Sequence, residues 1–143
     1  MKKIALIEDN YHFYDNLRTL LAFKNFKIEV FKTLKAAEDG LEYYNPDLIL
    51  TDLNMPDGDG SNTIEKLRKN TFFNYTPIII ITGSSNIDND KLLSLGVYKV
   101  LTKPVPFKTL HYYILKSLKK RERYLVPINF VKSITKLFKP AKF

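Results

Sequence analysis

Five short apolar runs, each followed by an amphipathic segment, constrain this chain most. Residues 3–8 (KIALIE), 27–31 (KIEVF), 47–52 (DLILTD), 77–82 (PIIIIT) and 97–102 (VYKVLT) read as strands. Residues 11–23, 34–44, 61–69, 88–95 and 106–120 read as helices. In the first helix Leu17, Leu20 and Leu21 fall at helical spacing, with Asp9 or Asn10 placed to cap. Thr33 precedes the second helix and Pro46 follows it. Ser61 or Asn62 is expected to cap the third, where Glu65 is spaced to pair with Lys69. Gly96 suits the position just past the fourth helix, and Pro106 suits the first turn of the fifth.

The third and fourth runs are almost wholly apolar, as strands are when helices cover both faces of a parallel sheet. Right-handed crossovers then give an α/β fold, a doubly wound, five-stranded parallel sheet with helices on both faces; the order expected for it is the flavodoxin-like 2-1-3-4-5, which the family resemblance drawn below implies. At 143 residues, with 45% hydrophobic and 27% charged residues, the chain has the makings of one folded domain. It has no cysteine, which excludes disulfides and thiolate metal sites and is compatible with a reducing, cytoplasmic location. No apolar run approaches the roughly 20 residues that span a bilayer.

Charge is distributed unevenly. Residues 1–117 carry 15 Lys+Arg and 14 Asp+Glu, whereas residues 118–143 carry 8 Lys+Arg against Glu122 alone. The basic character therefore belongs to an appendage. A body of 1–124 and an extension of 125–143 are expected, with the fifth helix ending near Tyr124 to Pro127. Pro127 could open a further helix and Pro140 stop it. Between them Phe130, Val131, Ile134, Leu137 and Phe138 fall in an arc of about 120°, opposite Lys132, Lys136 and Lys139. This is a basic amphipathic helix. The plain expectation is that its apolar face folds back on the body or on a second copy, giving a possible homodimer. An anionic membrane or an acidic partner is the sharper alternative, and sequence-specific nucleic-acid binding is not expected.

Chemistry concentrates at the carboxyl ends of the strands, which share one crevice in a doubly wound sheet. Glu8 and Asp9 end the first strand, Asp52 the third, Thr82 the fourth, and Lys103 follows the fifth. Three carboxylates against one ammonium leave a formal −2, which a divalent cation would relieve. Hard oxygen ligands suit Mg²⁺ or Mn²⁺. Asp52 could then act as a nucleophile on phosphorus, with Lys103 and Thr82 as donors to the phosphoryl oxygens. Taken singly, each of these residues has an ordinary explanation as a cap, a loop acid or a solvated lysine. Pro56, Gly58 and Gly60 read as turn formers, Asp57 and Asp59 as loop acids, and His12 and His111 as rim residues.

Glu8-Asp9, Asp52 with the following LNMPDGDG, Thr82 after IIII, and Thr102-Lys103-Pro104 together resemble the receiver domain of two-component response regulators, of the chemotaxis-type stand-alone kind. The resemblance covers about residues 2–120. It implies that Asp52 accepts a phosphoryl group from a histidine kinase or phosphotransfer protein. It also implies Mg²⁺ held by Asp9 and Asp52, with Glu8 acting through water and the Asn54 backbone carbonyl completing the set, and a cis Lys103–Pro104 bond. The chain would then be no enzyme beyond self-catalysed phosphotransfer and autodephosphorylation, and would switch contacts with a downstream protein. Where such domains usually carry an aromatic switch residue this chain has Val100; Tyr98 lies two residues earlier and is expected on the same strand face. The alternatives are a Mg²⁺-dependent aspartyl-phosphate phosphatase of haloacid-dehalogenase type and a phosphorylation-independent interaction module. The first needs a proton-shuttling acid where Asn54 stands, and the second has no use for the acids, Thr82 and Lys103. A stand-alone receiver and a fragment of a longer regulator both fit the length.

Overall fold

The computed structural model describes the backbone of residues 1–137 and the side chains of residues 1–125. Its elements run β1 (Lys2–Ile7), α1 (Tyr11–Phe23), β2 (Phe26–Phe31), α2 (Leu34–Tyr44), β3 (Leu48–Thr51), β4 (Asn54–Met55), β5 (Gly58–Asp59), α3 (Gly60–Lys69), a 3-10 turn (Thr71–Phe73), β6 (Ile78–Thr82), α4 (Asn89–Ser94), β7 (Lys99–Thr102) and α5 (Phe107–Leu137). The main sheet has the order β2-β1-β3-β6-β7, all pairs parallel. With β6 and β7 as its fourth and fifth strands, this is the expected doubly wound order. The small antiparallel β4–β5 hairpin lies where the sequence indicates only a turn. Gly58, at φ 149°, supplies a backbone conformation there that a side chain would strain.

Period-two alternation splits the strands between two cores. Ile7, Ile49, Ile78 and Ile80 pack with Leu41, Ile64, Leu67 and Leu92 on one face. Ile4, Leu6, Leu48, Leu50, Ile79 and Ile81 pack with Leu17, Leu21, Leu110 and Ile114 on the other. β3 and β6 are buried on both faces because helices cover both. Their apolar runs are thus explained by position in the sheet.

The helix starts correct parts of the sequence reading. Asn10 caps α1, accepting from Phe13 N–H, and Thr33 caps α2, accepting from Ala36 N–H. Asp59 caps α3 in place of Ser61 or Asn62, because β5 delivers the chain into the helix one turn residue earlier. Glu65 forms no ion pair with Lys69 among the described residues; Lys66 pairs instead with Glu38 on α2, at 3.1 Å. Asp57 accepts hydrogen bonds from Leu34 and Lys35 N–H at 2.9 and 3.0 Å, a second cap on α2 from a distant loop. Those backbone donors hold its carboxyl below the ordinary aspartate value.

The fifth helix does not end at Tyr124 to Pro127. Among the described residues it continues to Leu137. The apolar arc assigned to the extension and the stop at Pro140 lie outside the described side chains and backbone, respectively. Near β7 a second expectation fails: the strand begins at Lys99, so Tyr98 escapes its alternation. Val100 packs with the core under α3 and α4, and Tyr98 with the opposite core under α5.

Ile79 is fully buried in the middle of β6, between the sheet and the α1 and α5 side. Its replacement by alanine is expected to cost about 2–5 kcal/mol through lost transfer energy and a residual cavity, read as a lowered urea midpoint with an unchanged slope.

Candidate functional site

Parallel pairing in register brings the ends of β1, β3, β6 and β7 to one edge of the sheet. Asp52 N–H donates to Ile7 O at 3.1 Å and Lys103 N–H to Thr82 O at 2.8 Å, so the loops remain tied to the strands where the functional side chains emerge. Glu8 is only 2% exposed and Asp52 8%. Charges so buried require partners. Lys103 Nζ supplies them, donating to Glu8 Oε2 at 2.7 Å and to Asp52 Oδ2 at 2.9 Å. The remaining oxygens are satisfied by backbone: Asn10 N–H donates to Glu8 Oε1 and Asn54 N–H to Asp52 Oδ1, both at 3.0 Å.

Burial alone pulls the Lys103 ammonium toward lower pKa. Hydrogen bonds to Glu8 and Asp52, with the charges of both, outweigh it and hold the group above the ordinary lysine value. Lys103 thus stays cationic throughout the neutral range. Its ammonium also lies 4.1 Å from the Phe13 ring centroid, a cation–π contact. The Lys103–Pro104 bond is cis.

Of the other expected residues, Thr82 is fully buried at the end of β6, and its hydroxyl accepts Ser84 N–H at 3.2 Å. That contact leaves the hydroxyl proton free to be donated. Asp9 stands beside Glu8 but is solvent-exposed, as is Asn54. Among the described residues no three acidic or imidazole side chains are gathered tightly enough to hold a cation as they stand. His12 is exposed against Tyr11, and His111 stacks on Phe107 at 5.7 Å, so neither enters the cluster.

Two contributors escaped the sequence reading. Phe13 lies four residues after Asp9, one helical turn, which is the only sequence signal for its approach to Lys103. Gly60 is more than a turn former. A Cβ there would come within 2.7 Å of the Asp52 carbonyl oxygen and 3.1 Å of Leu53 Cα, so the first turn of α3 can press on the Asp52 backbone only without a side chain. Gly60 N–H donates to Leu53 O at 2.7 Å across that approach.

A doubly wound parallel sheet with a carboxylate–lysine cluster at the tips of its central strands defines a class of α/β proteins that act at the carboxyl edge of the sheet. The chain belongs to the response regulator receiver domain family, whose model matches residues 4–115. It is 34% identical over 106 residues to the cell cycle transcriptional regulator CtrA of Caulobacter vibrioides, covering 71% of this chain and 44% of that one. It is 28% identical over 134 residues to the KDP operon transcriptional regulatory protein KdpE of Escherichia coli, covering 92% of this chain and 58% of that one. The chain thus spans roughly half of these relatives. Among solved structures, a CheY-like response regulator receiver domain from Methanospirillum hungatei superposes with a TM-score of 0.81 at 25% identity, over 87% of this chain and 98% of that one. Phosphoryl acceptance is the general function of such domains.

Removing the ammonium should expose what it holds. Lys103→Met leaves two buried carboxylates uncompensated and is expected to cost about 3–5 kcal/mol at pH 7, read by urea unfolding. The pKa of Lys103 is raised on folding, so its contribution is complete below about 10.5 and is lost as pH rises through the folded-state value. The stability gap between wild type and variant should therefore be constant from pH 7 to 9 and shrink above 10.5.

Proposed function

We propose that Asp52 accepts a phosphoryl group from a phosphohistidine of a partner histidine kinase or phosphotransfer protein, and that the phosphorylated chain changes its contacts with a downstream protein. The observation that carries this reading is the seating of Asp52 at the tip of a central strand, 2.9 Å from a lysine it shares with buried Glu8. A carboxylate oxygen of Asp52 attacks phosphorus, the P–N bond to the donor imidazole breaks, and an acyl phosphate forms. Lys103 then exchanges its bond to Asp52 for bonds to the phosphoryl oxygens, while Glu8 keeps it charged and in place. The Thr82 hydroxyl donates to a second phosphoryl oxygen.

Receiver domains are generally Mg²⁺-dependent, and the donor set here is chemically suited: all oxygen, with a formal −2 after Lys103 is counted. Asp9, Asp52 and the Asn54 carbonyl would hold the ion, with Glu8 behind them, and it would supply neutralising charge for an incoming phosphoryl group. Asp9, being exposed, has the freedom to turn inward. The chain is no enzyme toward external substrates in this reading; it catalyses its own phosphorylation and dephosphorylation. A cytoplasmic setting follows from the kinase partner. A haloacid-dehalogenase-type phosphatase is not favoured, because Asn54 offers no proton to a leaving group.

Incubation with acetyl phosphate and Mg²⁺ should add one phosphoryl group by intact mass. Asp52→Asn should abolish the addition, chelation of the metal should suppress it, and Lys103→Met should slow it by 10²-fold or more. Unchanged labelling of Asp52→Asn would remove the assignment.

A further inference from the structure

We propose that Phe13 is a positioning residue for phosphoryl transfer: its ring holds the Lys103 ammonium in place while that ammonium passes from Asp52 to the phosphoryl group. This rests on the reading of Asp52 as the phosphoryl acceptor. Phe13 is the third residue of α1, half-buried and packed against the core beneath α1 and α5. Lys103 Nζ lies 4.1 Å from its ring centroid. The other lysine–ring contacts among the described residues are all to tyrosines, at 4.8 to 5.7 Å. The Lys103 side chain is only 22% exposed, and a desolvated ammonium gains more from a ring than an exposed one does. An ammonium carries three donors. Two bond to Glu8 and Asp52, and among the described residues no oxygen takes the third. One carboxylate also places both partners of the ring contact. Glu8 Oε2 accepts from Lys103 Nζ at 2.7 Å, and Glu8 Oε1 accepts Asn10 N–H at 3.0 Å. Asn10 Oδ1 in turn accepts Phe13 N–H at 3.0 Å. The ammonium and the helix turn that carries the ring are thus tied to the same buried group.

Before transfer two carboxylates hold Lys103, and the ring is the weakest of its three contacts. During transfer the bond to Asp52 is given up. Glu8 and the ring then keep the ammonium in place until the phosphoryl oxygens are bonded, so the share of the ring is largest in the transition state. The ring also shields the ammonium from water without taking a full hydrogen bond from it. Bonds to the incoming oxygens then form in less polar surroundings, where they are stronger. An amide or carboxylate at this position would compete with the phosphoryl oxygens for the same donors. A leucine would fill much of the space and offer no electron-rich face. A role in packing alone would depend on the shape of the ring, whereas a positioning role depends on the sign of charge on its face.

The test uses the full chain with acetyl phosphate and Mg²⁺, following the rate of labelling by intact mass and stability by urea unfolding. Pentafluorophenylalanine placed at position 13 keeps the outline of the ring and reverses the charge on its face. It is expected to slow labelling by about two- to thirtyfold, the span of cation–π attraction between exposed and desolvated sites. Phe13→Tyr keeps the electron-rich face and should label at close to the wild-type rate. Phe13→Leu should fall between wild type and the fluorinated chain. The expected order of rates therefore places leucine above pentafluorophenylalanine, the reverse of the order that packing alone would give. If Phe13→Leu folds poorly, the fluorinated chain against wild type decides the matter. Labelling of the fluorinated chain at the wild-type rate, or rates that simply follow the urea midpoints, would overturn the role of Phe13 alone. Unchanged labelling of Asp52→Asn, run alongside, would remove the phosphoryl-acceptor reading and this proposal with it.

Discussion

Lys103 is the residue on which the arrangement of the carboxyl edge depends. Its ammonium bridges Glu8 and Asp52, two carboxylates from different strands that are nearly inaccessible to water. Without a shared cation these charges would repel across a low-dielectric gap and drive their own protonation. With it, each carboxylate uses one oxygen for the lysine and the other for the backbone N–H two residues further on. The same bonds that satisfy the charges therefore fix the start of α1 and the turn after β3. The Phe13 ring, 4.1 Å away, covers the ammonium from the helix side. A nucleophile held in this way is pre-oriented, and its partner cation is already present when negative charge arrives.

The loop after Asp52 is held as firmly as Asp52 itself. Asp57 caps α2 and Asp59 caps α3, so two acids of one short segment anchor two helices. Gly60 lets α3 close on the Asp52 backbone. At the opposite edge of the sheet, Arg68 reaches from α3 to the carbonyls of Phe73, Thr76, Leu95 and Gly96. Burial pulls its pKa below the ordinary arginine value, and among the described residues it has no carboxylate partner there. Four carbonyl dipoles take the place of one anion. These contacts make a rigid platform of the sheet, α3 and the chain entering β6 and β7.

What was legible in the sequence was what local periodicity and residue type encode. The five main strands follow from alternation and continuous apolar runs, and the doubly wound arrangement from right-handed crossovers; their order came with the family resemblance. The converging tips follow from topology, which is why Glu8, Asp52, Thr82 and Lys103 could be picked without coordinates. What was not legible depends on distance in space. Asp57 reads as a loop acid because its cap receptor is 23 residues away. Phe13 reads as one more apolar helix position, and its ring matters only because Lys103 is brought beneath it. Tyr98 reads as a strand residue with Val100, yet the strand starts one residue later and the ring goes to the other core.

The end of α5 shows how a strong local signal can mislead. Pro127 removes one backbone donor, which argues for a helix start. The same residue inside a long helix leaves the carbonyl four residues earlier without its bond and crowds it with its ring, at a cost of about 3 kcal/mol. That carbonyl belongs to Arg123, an exposed residue. The buried positions Leu110, Ile114 and Leu118 start the helix against the sheet, and propagation then costs little per added residue. The outcome is a single axis that joins the receiver body to its basic extension and carries the register of one into the other.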